Sequence, residues 1–161
     1  MKTNKNVKGF TLVELIVVIA IIGVLAAILV PSMLGYVKKA NQSAVNSNAK
    51  TVFNAAATAV TDCDTKGVAP CASNKYSGKI GVTPATCATT GSDDFTEFFK
   101  NAIGAGTLGG LTTIEIGVKD GAVSGVGVVK SNYKGSYPTA INKSTGSYTI
   151  DDEGNYTATA E

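Results

Sequence analysis

Residues 10–30 read FTLVELIVVIAIIGVLAAILV, a run in which Thr11 and Glu14 are the only polar side chains. Wound as a helix, it spans roughly 30 Å at about 1.5 Å per residue, the thickness of a bilayer's hydrocarbon core. Beyond Pro31 the pattern becomes amphipathic. Val45, Ala49, Val52, Phe53, Ala56, Ala59 and Val60 recur at spacings of three and four, while Lys39, Gln42, Asn46, Ser47, Lys50 and Asn54 fill the other side. The pattern predicts one helix over about 10–61, apolar all round in its first half and one-faced in its second. Asp62-Cys63-Asp64-Thr65-Lys66-Gly67 closes it, with Gly67 suited to the left-handed cap position.

Past that point the period shortens. Ser92-Asp93-Asp94 ahead of 95–103 predicts a short capped helix in a connecting region, 62–111. Thr112–Lys119 alternates as a strand, Asp120-Gly121 is a hairpin turn, and Ala122–Lys130 returns. Two more short runs, Ser147–Ile150 and Asn155–Ala160, flank Asp151-Asp152-Glu153-Gly154, and 137–141 offers an edge with Pro138 barring it from the sheet's centre. The expected fold is α+β: a long N-terminal helix packed on an antiparallel sheet of about four strands drawn from 112–161.

Composition narrows the chemistry. At 161 residues, 16% charged and 44% apolar, the chain suits one modest domain, neither a disordered acidic chain nor a coiled coil. All 14 cationic side chains are Lys. Without His, the commonest general base and zinc ligand are missing. Without Arg, so are the bidentate readers of phosphate and bases, and no specific nucleic-acid recognition is evident. Lys2, Lys5 and Lys8 precede the apolar run with no acid among them, which keeps the N-terminus cytoplasmic and sends the rest outward. An ordinary signal peptide fits poorly, because its apolar core is about 7–15 residues and ends at a small-residue cleavage site that Ala26 and Ala27 imitate badly. A carboxylate such as that of Glu14 costs about 2.5–3.5 kcal/mol at a bilayer centre. It either reaches back to the headgroups or awaits a cationic partner within an assembly of such helices.

Lys8-Gly9-Phe10-Thr11-Leu12-Val13-Glu14-Leu15, followed by the apolar run and Pro31, resembles the N-terminal signature of type IV pilins and their pseudopilin relatives. The resemblance is one of motif over about the first 40 residues and of layout thereafter. It implies that a prepilin peptidase cuts between Gly9 and Phe10 and methylates the new amine of Phe10. Residues 1–9 are then a leader, 10–31 a transmembrane and filament-core helix, and 32–161 an exported head. Losing three leader lysines leaves eleven against twelve acidic side chains, so the precursor's +2 says nothing about the partners of the mature chain. The resemblance further implies that Glu14 pairs with the Phe10 amine of a neighbouring subunit, a group with an ordinary pKa of about 8, each relieving the other's desolvation. The stretch between Gly23 and Pro31 is expected to lose helicity when the subunit passes from bilayer to filament.

The function so implied is that of a structural pilus subunit serving adhesion, motility or DNA uptake, without catalysis or cofactor. Its partners are further copies in a helical filament, the prepilin peptidase, a membrane assembly platform and, indirectly, an assembly ATPase. It sits in the cell membrane as a single-pass monomer before assembly and in an extracellular pilus afterwards. Two alternatives remain: a pseudopilin of a type II secretion or competence system, and a monomeric, membrane-tethered binding protein.

Other motifs weigh less. Gly104-Ala105-Gly106-Thr107-Leu108-Gly109 has nucleotide-loop spacing, but it follows a helix and precedes a strand, the reverse of the order that aims a helix at phosphate. Asp62, Asp64 and Gly67 imitate a calcium loop whose fifth and twelfth positions, Lys66 and Ser73, do not ligate. Asp151, Asp152 and Glu153, with Asn155, form a weak calcium candidate that competes with a plain solvated turn. Cys63, Cys71 and Cys87 lie on the exported side, where a Cys63–Cys71 bridge or a Cys71–Cys87 alternative leaves one thiol over. Many pilins close a C-terminal loop with two cysteines; this chain has none after Cys87.

Overall fold

The computed structural model describes residues 9–71, 75–83, 88–104, 108, 110–142 and 145–159. The chain divides into two compact units, Met1–Lys38 and Lys39–Glu161. Helix α1, Leu12–Lys66, contributes to both. In the first unit every described residue is exposed. In the second, α1 buries Val45, Ala49, Val52, Ala56, Ala59, Val60 and Cys63, the helical stripe expected from the spacing. It runs beyond residue 61 because Cys63 continues that stripe into the core.

Gly67 then ends the helix at φ +70°. The Val68 amide donates to the Cys63 carbonyl (3.0 Å) and the Gly67 amide to that of Asp64 (2.9 Å), the paired bonds of a Schellman cap. Helix α2, Asp93–Ile103, starts at Ser92, whose hydroxyl accepts from the Phe95 amide at 3.2 Å. It buries Phe95, Phe99 and Ile103, one face at helical spacing.

Five antiparallel strands form the main sheet: β1 (Gly78–Thr83), β2 (Ala88–Thr89), β3 (Thr113–Lys119), β4 (Ala122–Lys130) and β5 (Tyr133–Tyr137), in the order β2-β1-β3-β4-β5. The β3–β4 turn is Asp120-Gly121, both at positive φ (51° and 75°), as a tight hairpin requires. Ile114, Ile116 and Val118 of β3, Val126 and Val128 of β4 and Ile80 and Val82 of β1 alternate into the core shared with α1. Gly135 of β5 admits the backbone of α1, since a Cβ there would collide with Val45.

A separate hairpin, β6 (Ser147–Ile150) and β7 (Tyr156–Thr159), covers the opposite face. Its tyrosines lie over glycines: a Cβ on Gly127 would strike the Tyr148 ring, and one on Gly125 the Tyr156 ring. The Ser124 hydroxyl donates to the Gly154 carbonyl, and the Tyr156 hydroxyl to the Thr139 carbonyl at 3.1 Å. Burial, then the neighbouring Glu115 charge and a hydrogen bond to it, push the Tyr148 phenol well above its ordinary range.

The α+β architecture is the expected one, but the strands are drawn differently. β1 and β2 come from within 62–111, which had read as connection only; glycines interrupt the alternation of β1, and β2 is only two residues long. The edge strand is 133–137 rather than 137–141, because Pro138, which follows a cis peptide bond, has no amide to pair. The two C-terminal strands stack on the sheet instead of extending it.

Candidate assembly site at the amino terminus

Gly9 and Phe10 precede α1 in irregular backbone and are exposed, Phe10 by 82%. Thr11 and Glu14 then build the helix start together. The Thr11 amide donates to Glu14 Oε2 at 2.9 Å, and the Glu14 amide to Thr11 Oγ1 at 3.3 Å. This reciprocal exchange is a capping box, Thr at the N-cap and Glu three residues on, which satisfies two of the orphan amides of a first turn. The Thr11 hydroxyl also donates to Oε2, at 2.6 Å. Both bonds to the carboxyl group fall on Oε2, and Oε1 has no protein partner among the described residues. The spacing Thr-x-x-Glu was readable as a cap; the expectation of an intersubunit role for Glu14 overlooked it.

From there α1 continues unbroken across Gly23 and Pro31. Proline removes one helical hydrogen bond, and next to it the Ser32 hydroxyl donates to the Leu29 carbonyl at 2.9 Å. A side chain at Gly23 would meet nothing within 4 Å. Leu12, Ile16, Ile22, Ile28 and Leu34 are all at least half exposed. The helix is long and apolar enough to cross a membrane, with a mean hydropathy of 3.1 over 18 residues.

The remaining sequence candidates lie in the second unit. Cys63 and Cys71 are buried free thiols, so the Cys63–Cys71 bridge is not made in this structure, and Cys87 falls outside the described residues. Burial pushes both thiols up; the Asp94 charge adds to the effect at Cys63. Both are therefore held protonated, in environments unsuited to nucleophilic use.

Asp151 is occupied by its own turn. Its Oδ1 accepts from the Glu153 amide (3.0 Å) and the Asn155 amide (2.8 Å), and its Oδ2 from Asn155 Nδ2 (2.8 Å). The bonds from Asn155, first its side chain and then its backbone, hold the Asp151 carboxyl below its ordinary range. Asp152 and Glu153 are exposed beside it. Among the described residues, no three His, Cys, Asp or Glu side chains gather as a metal site would need. Most of the 104–109 glycine loop lies outside the described residues.

Residues 4–30 match the family described as "Prokaryotic N-terminal methylation motif". The chain is 31% identical over 98 residues to the type IV major pilin protein PilA of Myxococcus xanthus, covering 56% of this chain and 44% of that protein. It is 54% identical over 43 residues to the type IV wide pilus major component of Thermus thermophilus, covering 27% of this chain and 33% of that one. With the type IV narrow pilus major component of Thermus thermophilus it shares 38% identity over 95 residues, 59% of this chain and 79% of that protein. The matched stretch thus spans less than half the length of the first two relatives. No solved structure matches the chain.

Proposed function

The chain belongs to the type IV pilins, and on that footing we propose that it is a structural subunit of a type IV pilus, working by polymerisation rather than catalysis. The observation that carries this reading is the first half of α1. Its large apolar side chains are solvent-exposed all round the helix, a surface that at about 25 cal/mol per Å² is unstable in water and must be covered. As a monomer the segment is covered by lipid, as a single membrane span with its N-terminus in the cytoplasm. In the filament it is covered by the same segment of other copies, with the heads outward on the cell exterior.

Prepilin peptidase cuts the exposed Gly9–Phe10 bond and methylates the Phe10 amine. A membrane platform, driven by a cytoplasmic ATPase, then draws the subunit out. Glu14 serves both stages. Its Oε2 caps its own helix through Thr11, and its open Oε1 receives the Phe10 amine of a neighbouring subunit. The capped carboxyl is thus pre-oriented for an ion pair whose formation offsets the desolvation of both charges. Gly23 and Pro31 mark the stretch that yields on passing from bilayer to filament.

Intact-mass spectrometry of filaments sheared from cells tests the reading. The expected species is residues 10–161 plus one methyl group. A chain retaining Met1–Gly9 overturns it in favour of a tethered monomer, and a mature methylated chain confined to the membrane fraction overturns the surface-pilus assignment in favour of a pseudopilin.

A further inference from the structure

Opposite its buried stripe, α1 in the second unit keeps a face on which Lys50, Thr51, Asn54, Thr58, Thr61 and Asp64 are exposed. Gln42, which the sequence pattern had placed on this side, is instead only 6% exposed and donates to the Lys134 and Ile141 carbonyls. Lys50 and Asp64 stand at the two ends of the face. At about 100° per residue, the interval between them returns to within about 40° of its starting direction, so both lie on one edge of the helix, about 21 Å apart along its axis. Among the described residues, ion pairs join Lys66 to Asp94 (3.0 Å) and Lys79 to Glu115 (3.7 Å); Lys50 and Asp64 have no partner of opposite charge.

This face is poorly suited to water alone. Asp64 stands in the last turn of α1, where unpaired carbonyls make the helix end negative and favour a cation. Between the two charges the exposed positions are neutral and include three threonines, which lose more side-chain freedom in a helix than Glu or Lys. The hydroxyls of Thr51, Thr58 and Thr61 donate to the carbonyls of Ser47 (3.1 Å), Asn54 (3.1 Å) and Ala57 (2.9 Å), four residues back. Their polar groups are thereby satisfied within the helix. A face whose hydroxyls do not depend on water can be covered at little desolvation cost.

We propose that this face docks a second copy of the chain, Lys50 of one copy pairing with Asp64 of the next. The inference rests on the pilus reading and adds a contact between heads to the one at Glu14. Copies anchored by the same span run parallel. Side by side in one register, they would set Lys50 against Lys50 and Asp64 against Asp64. A displacement of about 21 Å along the helix matches each charge with its opposite instead. Such a contact joins two different patches, so it does not close on itself and continues as a filament. A ligand of one sign gains at one end of the face and is repelled at the other, whereas a second copy supplies both complements. One exposed pair is weak, and repetition along the filament multiplies its effect. The pair tightens heads that the first halves of α1 have already placed.

Charge reversal tests the pairing. Filaments sheared from cells carrying the unaltered chain, Lys50→Glu, Asp64→Lys or both substitutions are warmed in mild detergent, and the mass that still sediments is followed. Each single reversal should lower filament yield about fivefold and shift dissociation to lower temperature, and the double reversal should restore both. Asp64→Lys should not lower the melting temperature of the separate subunit in micelles, because a cation suits that helix end. Its loss of filaments is then no folding defect. Lys39→Glu reverses an exposed charge on the same edge outside the paired stretch and should change yield little. Single reversals that match the unaltered filaments, a double reversal no better than either single, or an equal loss from Lys39→Glu overturns the pairing and leaves the pilus reading standing. Absence of filaments from the unaltered chain overturns both.

Discussion

Single side chains decide how the elements begin and end, and at this scale the sequence was largely readable. Ser92 before an apolar repeat and Gly67 after one take the capping positions their chemistry suits. Ser92→Ala should therefore cost about 1 kcal/mol, read as a lowered denaturant midpoint of the head. Glu14 was harder to read. A charge inside an apolar run stands out as an anomaly, and that masked the ordinary cap it forms with Thr11. Asp151 was misleading in the same way: three consecutive acidic positions suggested cation ligation, whereas the carboxyl folds back on amide donors. Those donors hold its pKa below the unfolded value. Its contribution is thus complete above the ordinary carboxylate range and is lost as pH falls through the lowered folded value. Amide exchange in 147–159 should accelerate over that acidic window, and Asp151→Asn should flatten the dependence. An acid profile unchanged by the substitution would remove Asp151 as the cause.

At the scale of elements, periodicity revealed α1, α2, β3 and β4 but not how the C-terminal hairpin is held. Gly125 and Gly127 read as interruptions of β4, because sequence shows the missing side chain and not the ring that fills the space. In the fold they are the floor on which Tyr156 and Tyr148 lie. The pairing joins residues 21 and 31 positions apart in sequence, a separation that no local pattern encodes. The hairpin is thus anchored by aromatic packing and by bonds such as that from Ser124 to Gly154, in a chain with no cysteine after Cys87 to staple it. Gly127→Val should overpack the site and destabilise the head by about 1–3 kcal/mol, seen as a lower melting temperature. Tyr148→Ala in the same chain should recover part of that loss, since the clash has a single source. Additive losses in the double variant would place the strain elsewhere.

At the scale of the molecule, a 55-residue helix belongs to two units with opposite needs. Its second half is satisfied by its own sheet, while its first half has no cover among the described residues. The contrast was visible in the sequence, because an apolar surface all round a helix differs from a stripe whatever fold follows. Register between copies cannot come from such a surface, since lipid-like side chains slide past one another at little cost. A charge at one height supplies it, which places the decisive test at Glu14. Gln at the third helical position still completes a capping box, so Glu14→Gln keeps the helix start and removes only the charge. Thr11→Val does the converse. If the ion pair sets register, Glu14→Gln should abolish incorporation into filaments while the full-length chain remains helical in micelles. Thr11→Val should reduce filament yield without abolishing it. Equal filament yields from Glu14→Gln and the unaltered chain would confine Glu14 to capping and require another source of register.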